Sequence, residues 1–203
     1  MTDDAAHPPA STPAQASLVE RLKKGNVRAF DEVYATYRPR LYSFLLRLSG
    51  RRDVAEDLLQ DTFIKLARSA PSLADDTHLT AWLYTVARNA FVSHRRWAML
   101  DLSRLVSFGA DRAHLAPRTP DEESSSTRAV ADLERALSEL PAASREILLL
   151  VGVDGMDQEE VAKILDISYE ALRQRLARAR AALSEKLDRM QRAPARTPQR
   201  GTP

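Results

Sequence analysis

No cysteine occurs in the 203 residues, which excludes disulfides, thiolate zinc sites, iron–sulfur clusters and any thiol switch carried by this chain. Glycine is scarce, at 6 residues, and none falls in a GxGxxG or GxxxxGK pattern, so no phosphate-cradling loop is expected. No apolar run approaches the ~18 residues that a membrane span needs. Residues 1–16 carry Asp3 and Asp4 but neither a basic stretch nor an apolar segment. They do not read as a secretory signal, and a cytoplasmic location is expected. Alternation of apolar and polar residues over the length of a strand is also missing, which points to an all-α chain.

What is present fits a folded protein. Hydrophobic residues make up 44% and charged residues 29% of the chain, the balance of a chain that builds cores. Its length suits one large domain or two small ones. The formal charge of +2 conceals a pattern: residues 17–100 hold 14 Lys/Arg against 9 Asp/Glu, whereas residues 128–190 hold 10 against 12. Of the 12 aromatic residues, 10 lie in residues 17–100. A basic, aromatic-rich first half is suited to holding and unstacking nucleic acid, although most of these rings also serve a core.

Composition divides the chain. Residues 1–16, rich in Ala, Pro, Ser and Thr, read as a disordered tail, as do residues 191–203 with Pro194, Pro198, Gly201 and Pro203. Residues 101–127 hold Pro117, Pro120, the acidic run Asp121 to Glu123 and the serines Ser124 to Ser126, the marks of a flexible linker. Two compact helical segments remain, 17–100 and 128–190. In the first, Phe30, Val33, Tyr34, Tyr37, Leu41, Phe44, Leu45 and Leu48 recur at helical steps. Pro39 inside that stripe predicts a kink or a break. Asp53 and Glu56 have capping-box spacing ahead of a second helix. Leu79, Leu83, Val86 and Phe91 mark a third, running to about Trp97. In the second segment Val130, Leu133, Leu137 and Leu140 form one stripe, and Ile147 to Val151 a short apolar helix. Asp157 and Glu160 repeat the capping-box spacing.

The end of that segment carries the strongest motif. A helix from Glu159 to Leu165, the turn Asp166-Ile167-Ser168 and a last helix with a Leu172, Leu176, Ala179, Leu183 and Leu187 stripe have the layout of a helix-turn-helix, whose second helix enters the major groove. Ser168 is positioned to cap that helix. Tyr169 stands beside it, and Glu170, Arg173, Gln174, Ala177 and Arg178 point away from the stripe. Arg, Gln and Glu are the residues that pair with guanine, adenine and cytosine edges. Arg175 and Arg180 flank the stripe and suit phosphates. Asp166 stands where such turns usually place glycine, and Asp tolerates a left-handed backbone better than most residues.

Asp57-Leu58-Leu59-Gln60-Asp61-Thr62-Phe63, then Ala81 to Asn89, then Leu140-Pro141-Ala142-Ala143-Ser144-Arg145-Glu146 ahead of the helix-turn-helix, together resemble the extracytoplasmic-function (ECF) class of bacterial RNA polymerase sigma factors. The resemblance implies two helical domains: a region 2-like domain over 17–100 and a region 4-like domain over 128–190. It also implies a protein that is not an enzyme and that carries neither cofactor nor metal. Its partners would be core RNA polymerase, docked through the clamp helices of the largest subunits, promoter DNA as duplex and as melted non-template strand, and an anti-sigma factor. The helix bearing Asp53, Asp57, Gln60 and Asp61 would dock on polymerase. The loop from Ala70 to His78 and the helix that follows would read the minus-ten element by capturing a flipped base. Asp75, Asp76, Thr77 and His78 would face bases and Arg88, Arg95 and Arg96 phosphates, with Tyr84 and Asn89 also counted to the minus-ten surface. Ser168, Tyr169, Glu170, Arg173, Gln174, Arg175 and Arg178 would read the minus-thirty-five element. The acidic linker would lie in the polymerase channel.

Two other classes fit parts of the chain. A helix-turn-helix regulator that is not a polymerase subunit would need a sensory or receiver domain in residues 17–100, and a receiver requires strands. An all-α metal-dependent nucleotide hydrolase would use Asp53, Glu56, Asp57 and Asp61, but such sites draw carboxylates from two facing helices. His78 and His94 have no HExxH-like partner, which argues against zinc.

Overall fold

The computed structural model describes residues 13–104 and 125–192, so the tail and linker readings for 1–12, 105–124 and 193–203 lie outside the described residues. Within them all regular structure is helical. The first half comprises α1 (Pro13–Lys23), α2 (Val27–Ser49), α3 (Arg52–Ser69), a 3₁₀ turn at Ala70–Ser72 and α4 (Leu79–Arg104). The second comprises α5 (Ser125–Ser138), α6 (Ala142–Leu148), a π-type turn at Leu149–Val153, α7 (Gln158–Leu165) and α8 (Tyr169–Arg192).

Local chemistry explains most of these limits. Asn26 caps α2 by accepting from the Ala29 N–H at 3.1 Å. Gly50, at φ 72°, closes the same helix in the left-handed conformation that an L side chain resists. Asp157 caps α7 by accepting from the Glu159 N–H at 2.8 Å, and Ser168 caps α8 by accepting from Ala171 at 3.1 Å. Asp166 adopts φ 54° and ends α7, the left-handed turn the sequence implies.

Several sequence-level expectations are corrected. The stretch read as a tail includes the start of α1, whose Val19 and Leu22 are buried. Helix α2 continues through Pro39 without splitting. Pro39 and Ala35 are both exposed, so the carbonyl that loses its partner can bind water. Asp53 is not the N-cap of α3. Arg51 occupies that position without a side-chain cap, and Asp53 sits in the first turn, paired with the Arg51 guanidinium. Val130 and Leu133 lie on the exposed side of α5, while Ala136, Leu137 and Leu140 are buried.

The buried residues form a continuous apolar cluster running from α1 into α8. Leu41, Leu45, Leu66, Leu79 and Leu83 anchor its first half, and Leu149, Leu150, Leu172 and Leu176 its second. Full burial of each such side chain stabilises by about 1.5–3 kcal/mol.

Candidate nucleic-acid interface

Helix α8 presents its polar face to solvent because its leucine stripe turns inward. Leu172, Leu176 and Ala179 are buried, whereas Ser168, Tyr169, Glu170, Arg173, Gln174, Arg175 and Arg178 are all exposed. Glu170 ties that face together, accepting from Gln174 at 3.4 Å and lying 3.9 Å from Arg173. These are loose surface contacts of the kind that cost little to exchange for a base edge. Val161, Ala162, Ile164 and Leu165 of α7 close the opposite side, so the pair is held by its core while the outward row stays free.

Helix α3 keeps Asp53, Asp57, Gln60 and Asp61 exposed. Hydrogen bonding from Arg51, aided by the Val54 backbone N–H, lowers the Asp53 carboxyl to about 2. Beside this acidic row lies a groove of about 660 Å³ between α2 and α3. Tyr34 and Ile64 stand 41% and 40% exposed at it, and Tyr34 packs on the buried Phe63 ring at 4.7 Å. Helical spacing places Tyr34 on the core stripe, whereas in the fold it opens onto this groove.

The loop and α4 are less uniform. Asp76, Asn89, Arg95 and Arg96 are exposed, and Arg95 lies 5.8 Å from the Phe91 ring centroid. Asp75 pairs with Lys23 of α1, and the Thr77 hydroxyl donates to the Ala74 carbonyl at 2.6 Å, shaping the loop. The remaining three residues are engaged elsewhere. Tyr84 is 0% exposed. Its ring meets Phe44 at 5.3 Å, and its hydroxyl donates to Asp154 Oδ1 at 2.8 Å. The expectation that Tyr84 faces DNA is therefore corrected for this arrangement: the residue lies between the halves of the chain. Arg88 Nε donates to Glu146 Oε1 at 3.2 Å, and His78 Nδ1 lies against Glu160 Oε1.

These contacts belong to a wider seam. Arg47 donates to Glu134 at 2.8 Å, and Arg40 to the Asp154 carbonyl at 2.9 Å. Arg145 spends its guanidinium on five carbonyls: Leu137, Ser138 and Leu140 near the end of α5, and Arg47 and Leu48 near the end of α2, at 2.6 to 3.2 Å. Burial in the seam raises the carboxyl pKa of both Glu146 and Asp154. The first shift is opposed by Arg88 and Arg95, the second by the Tyr84 hydrogen bond and by Arg40 and Arg47. Burial, with the charge of Arg95, also lowers the Arg145 guanidinium.

Among the described residues, no group of three His, Asp or Glu converges as metal ligands, and no helix is long and apolar enough to cross a membrane. A hydrolase site would need the α3 carboxylates to face others, and they face solvent.

The chain matches the family "Sigma-70 region 2" over residues 33–98 and "Sigma-70, region 4" over residues 131–183. It is 34% identical to the RNA polymerase sigma factor CarQ of Myxococcus xanthus, across 85% of this chain and 97% of that protein. It is 31% identical to the ECF RNA polymerase sigma factor EcfG of Rhodopseudomonas palustris, across 76% and 82%. Among solved structures, the sigma factor RpoE in complex with the anti-sigma factor NepR from Bartonella quintana superposes with a TM-score of 0.67 at 30% identity, covering 78% of this chain and 96% of that one. CnrH, in complex with the cytosolic domain of CnrY, superposes with a TM-score of 0.64 at 26% identity, covering 87% and 99%.

Proposed function

The chain belongs to the ECF class of RNA polymerase sigma factors, initiation factors that bind core polymerase and direct promoter-specific transcription without being enzymes, and on that premise we propose how its residues divide the work. The region 4-like domain, 128–190, reads the minus-thirty-five element as duplex through the outward face of α8. Arg173 and Gln174 carry base recognition, Arg175 and Arg178 hold the backbone, and Ser168, Tyr169 and Glu170 set the start of the helix against the groove. The exposure of all these residues around the buried stripe of α8 is the observation that carries the reading.

The region 2-like domain, 17–100, reads the minus-ten element. Asp75, Asp76, Thr77 and His78 surround the flipped base, Asn89 approaches a neighbouring base, and Arg88, Arg95 and Arg96 grip phosphates. Extruding a base costs a few kcal/mol, which hydrogen bonds and stacking in the loop offset, so melting needs no chemical step. Asp53, Asp57, Gln60 and Asp61 meet basic groups of the polymerase clamp helices. The α2–α3 groove beside them offers an apolar seat for the same partner. The protein works in the cytoplasm, where polymerase and chromosome are, and an anti-sigma factor restrains it. The complex of RpoE with the anti-sigma factor NepR supports that partner class.

Run-off transcription with core polymerase over a genomic promoter library tests this reading. Wild-type protein is expected to give promoter-specific transcripts. Arg173→Ala or Gln174→Ala should cost about 1–3 kcal/mol of recognition at the upstream element and leave core binding intact in a pull-down. Asp61→Ala should do the reverse. Loss of core binding in the α8 variants, or full core affinity in Asp61→Ala, would overturn the division.

A further inference from the structure

Helix α1 reaches the loop assigned above to the minus-ten base. Its apolar side, Val19 and Leu22, is buried. The helix packs against α2 and against the 3₁₀ turn at Ala70–Ser72 that opens the loop, where Ala70 and Leu73 are buried too. Arg21 donates to Glu32 of α2 at 3.0 Å. The end of α1 is closed by Gly25 at φ 70°, whose N–H donates to the Leu22 carbonyl at 2.9 Å. Between these anchors the backbone of Lys23 is fixed, and its ammonium pairs with the Asp75 carboxylate. The loop around Asp75 is itself a tight turn. The Thr77 N–H and hydroxyl both donate to the Ala74 carbonyl, at 3.0 and 2.6 Å, which leaves Asp75 and Asp76 at its tip.

We propose that Lys23 is a positioning residue for minus-ten recognition: it holds Asp75 against α1 as a tether, sets the orientation of the turn, and leaves Asp76 as the carboxylate of that turn that meets the base. The inference rests on the reading of the Ala70 to His78 loop as the minus-ten reader, and it narrows the part of Asp75 within that reading. Charge favours this division. Two adjacent carboxylates at one tip would face a strand that is itself a polyanion, and the ammonium of Lys23 neutralises one of them. Enclosure favours it too. The Lys23 side chain is 29% exposed against 87% for Asp75, so the anchor sits on the helix and the loop is the part that is held. Lys24 does not share the task, because it pairs with Glu20 of its own helix at 2.6 Å. A pair near the surface contributes little stability. What it contributes here is geometry, since a recognition site works only within about 0.5 Å of its productive arrangement.

The test uses holoenzyme assembled from the full chain and core polymerase, and a promoter that it transcribes. The readout is discrimination: transcript from that promoter divided by transcript from versions with each minus-ten base replaced in turn. This ratio cancels changes in the amount of folded protein or in core affinity. Lys23→Met removes the ammonium and keeps an unbranched chain, Asp75→Asn keeps the size of the tether, and Lys24→Met removes the neighbouring charge. Discrimination should fall about threefold in Lys23→Met and in Asp75→Asn and fall no further when the two are combined. It should stay at the wild-type value in Lys23→Arg and in Lys24→Met. Unchanged discrimination in Lys23→Met, an equal loss in Lys23→Arg or Lys24→Met, or losses that multiply in the double variant overturn the tether. A loss in Asp75→Asn well beyond that of Lys23→Met overturns it as well, since Asp75 would then read the base itself. Wild-type holoenzyme indifferent to every minus-ten replacement removes instead the assignment of the loop on which the proposal stands.

Discussion

Arg145 shows how much one side chain can settle. Its five hydrogen bonds reach the carbonyl ends of α5 and α2, where the helix dipole favours a cation. No other side chain has five donors in a planar fork. Arg145→Ala should destabilise the folded protein by about 2–3 kcal/mol in urea denaturation, the scale of lost bonds to a charged group. Arg145→Lys should recover only part of that, because an ammonium keeps the charge but not the fork. The motif from Leu140 to Glu146 was visible in the sequence, yet the role of this arginine was not. Its acceptors include Arg47 and Leu48, nearly a hundred positions away, and spacing along a chain does not reveal such a pairing. Asp166 is the opposite case. Its left-handed turn was legible because few residue types tolerate that backbone, and the observed φ of 54° agrees.

Among the elements, α7, its turn and α8 were the most legible. Their caps, their apolar spacing and their left-handed turn are all local properties that agree with one another. Asp157→Ala should remove the bond to Glu159 and cost about 1 kcal/mol, read as a lower urea midpoint, with α8 left intact by circular dichroism. The second half of that expected capping box did not form: Glu160 turns to His78 instead of its own helix start. The expected box at Asp53 failed for a related reason, since Arg51 claims its carboxylate. In both places a tertiary or neighbouring side chain outcompetes the reciprocal cap, which is worth only about 0.5–2 kcal/mol. Helix α1 went unread because its apolar signal is short and its start lies in a Pro-rich, Ala-rich stretch.

At the scale of the whole molecule, the seam makes stability depend on pH. Burial raises Glu146 and Asp154 above the ordinary carboxyl values of 4.5 and 3.8. The folded protein therefore binds protons more tightly at these sites than the unfolded chain, whose carboxyls are solvated. Its advantage is complete below those ordinary values and is lost as pH rises through the raised ones. Arg88 and Arg95 facing Glu146, and Tyr84, Arg40 and Arg47 facing Asp154, limit the shift without reversing it. The urea midpoint should fall as pH rises from the acid side through this window. Glu146→Gln with Asp154→Asn should flatten the profile, and an unaltered profile in that variant would assign the pH effect to other groups.

Helix content, the absence of strands among the described residues, the helix-turn-helix and the residues exposed on α8 followed from the sequence, because periodicity, caps and turn chemistry act over a few positions. The exposed acidic row on α3 was legible for the same reason: acids at helical spacing stay on one face whatever packs on the other. Only the tertiary structure decided that Tyr84 is inside, that Glu146, Asp154 and Glu160 face the first half of the chain, and that Arg145 joins two helix ends. Those facts depend on which surfaces of two separately readable segments meet. Long-range complementarity of charge and shape governs that meeting, and no local pattern encodes it.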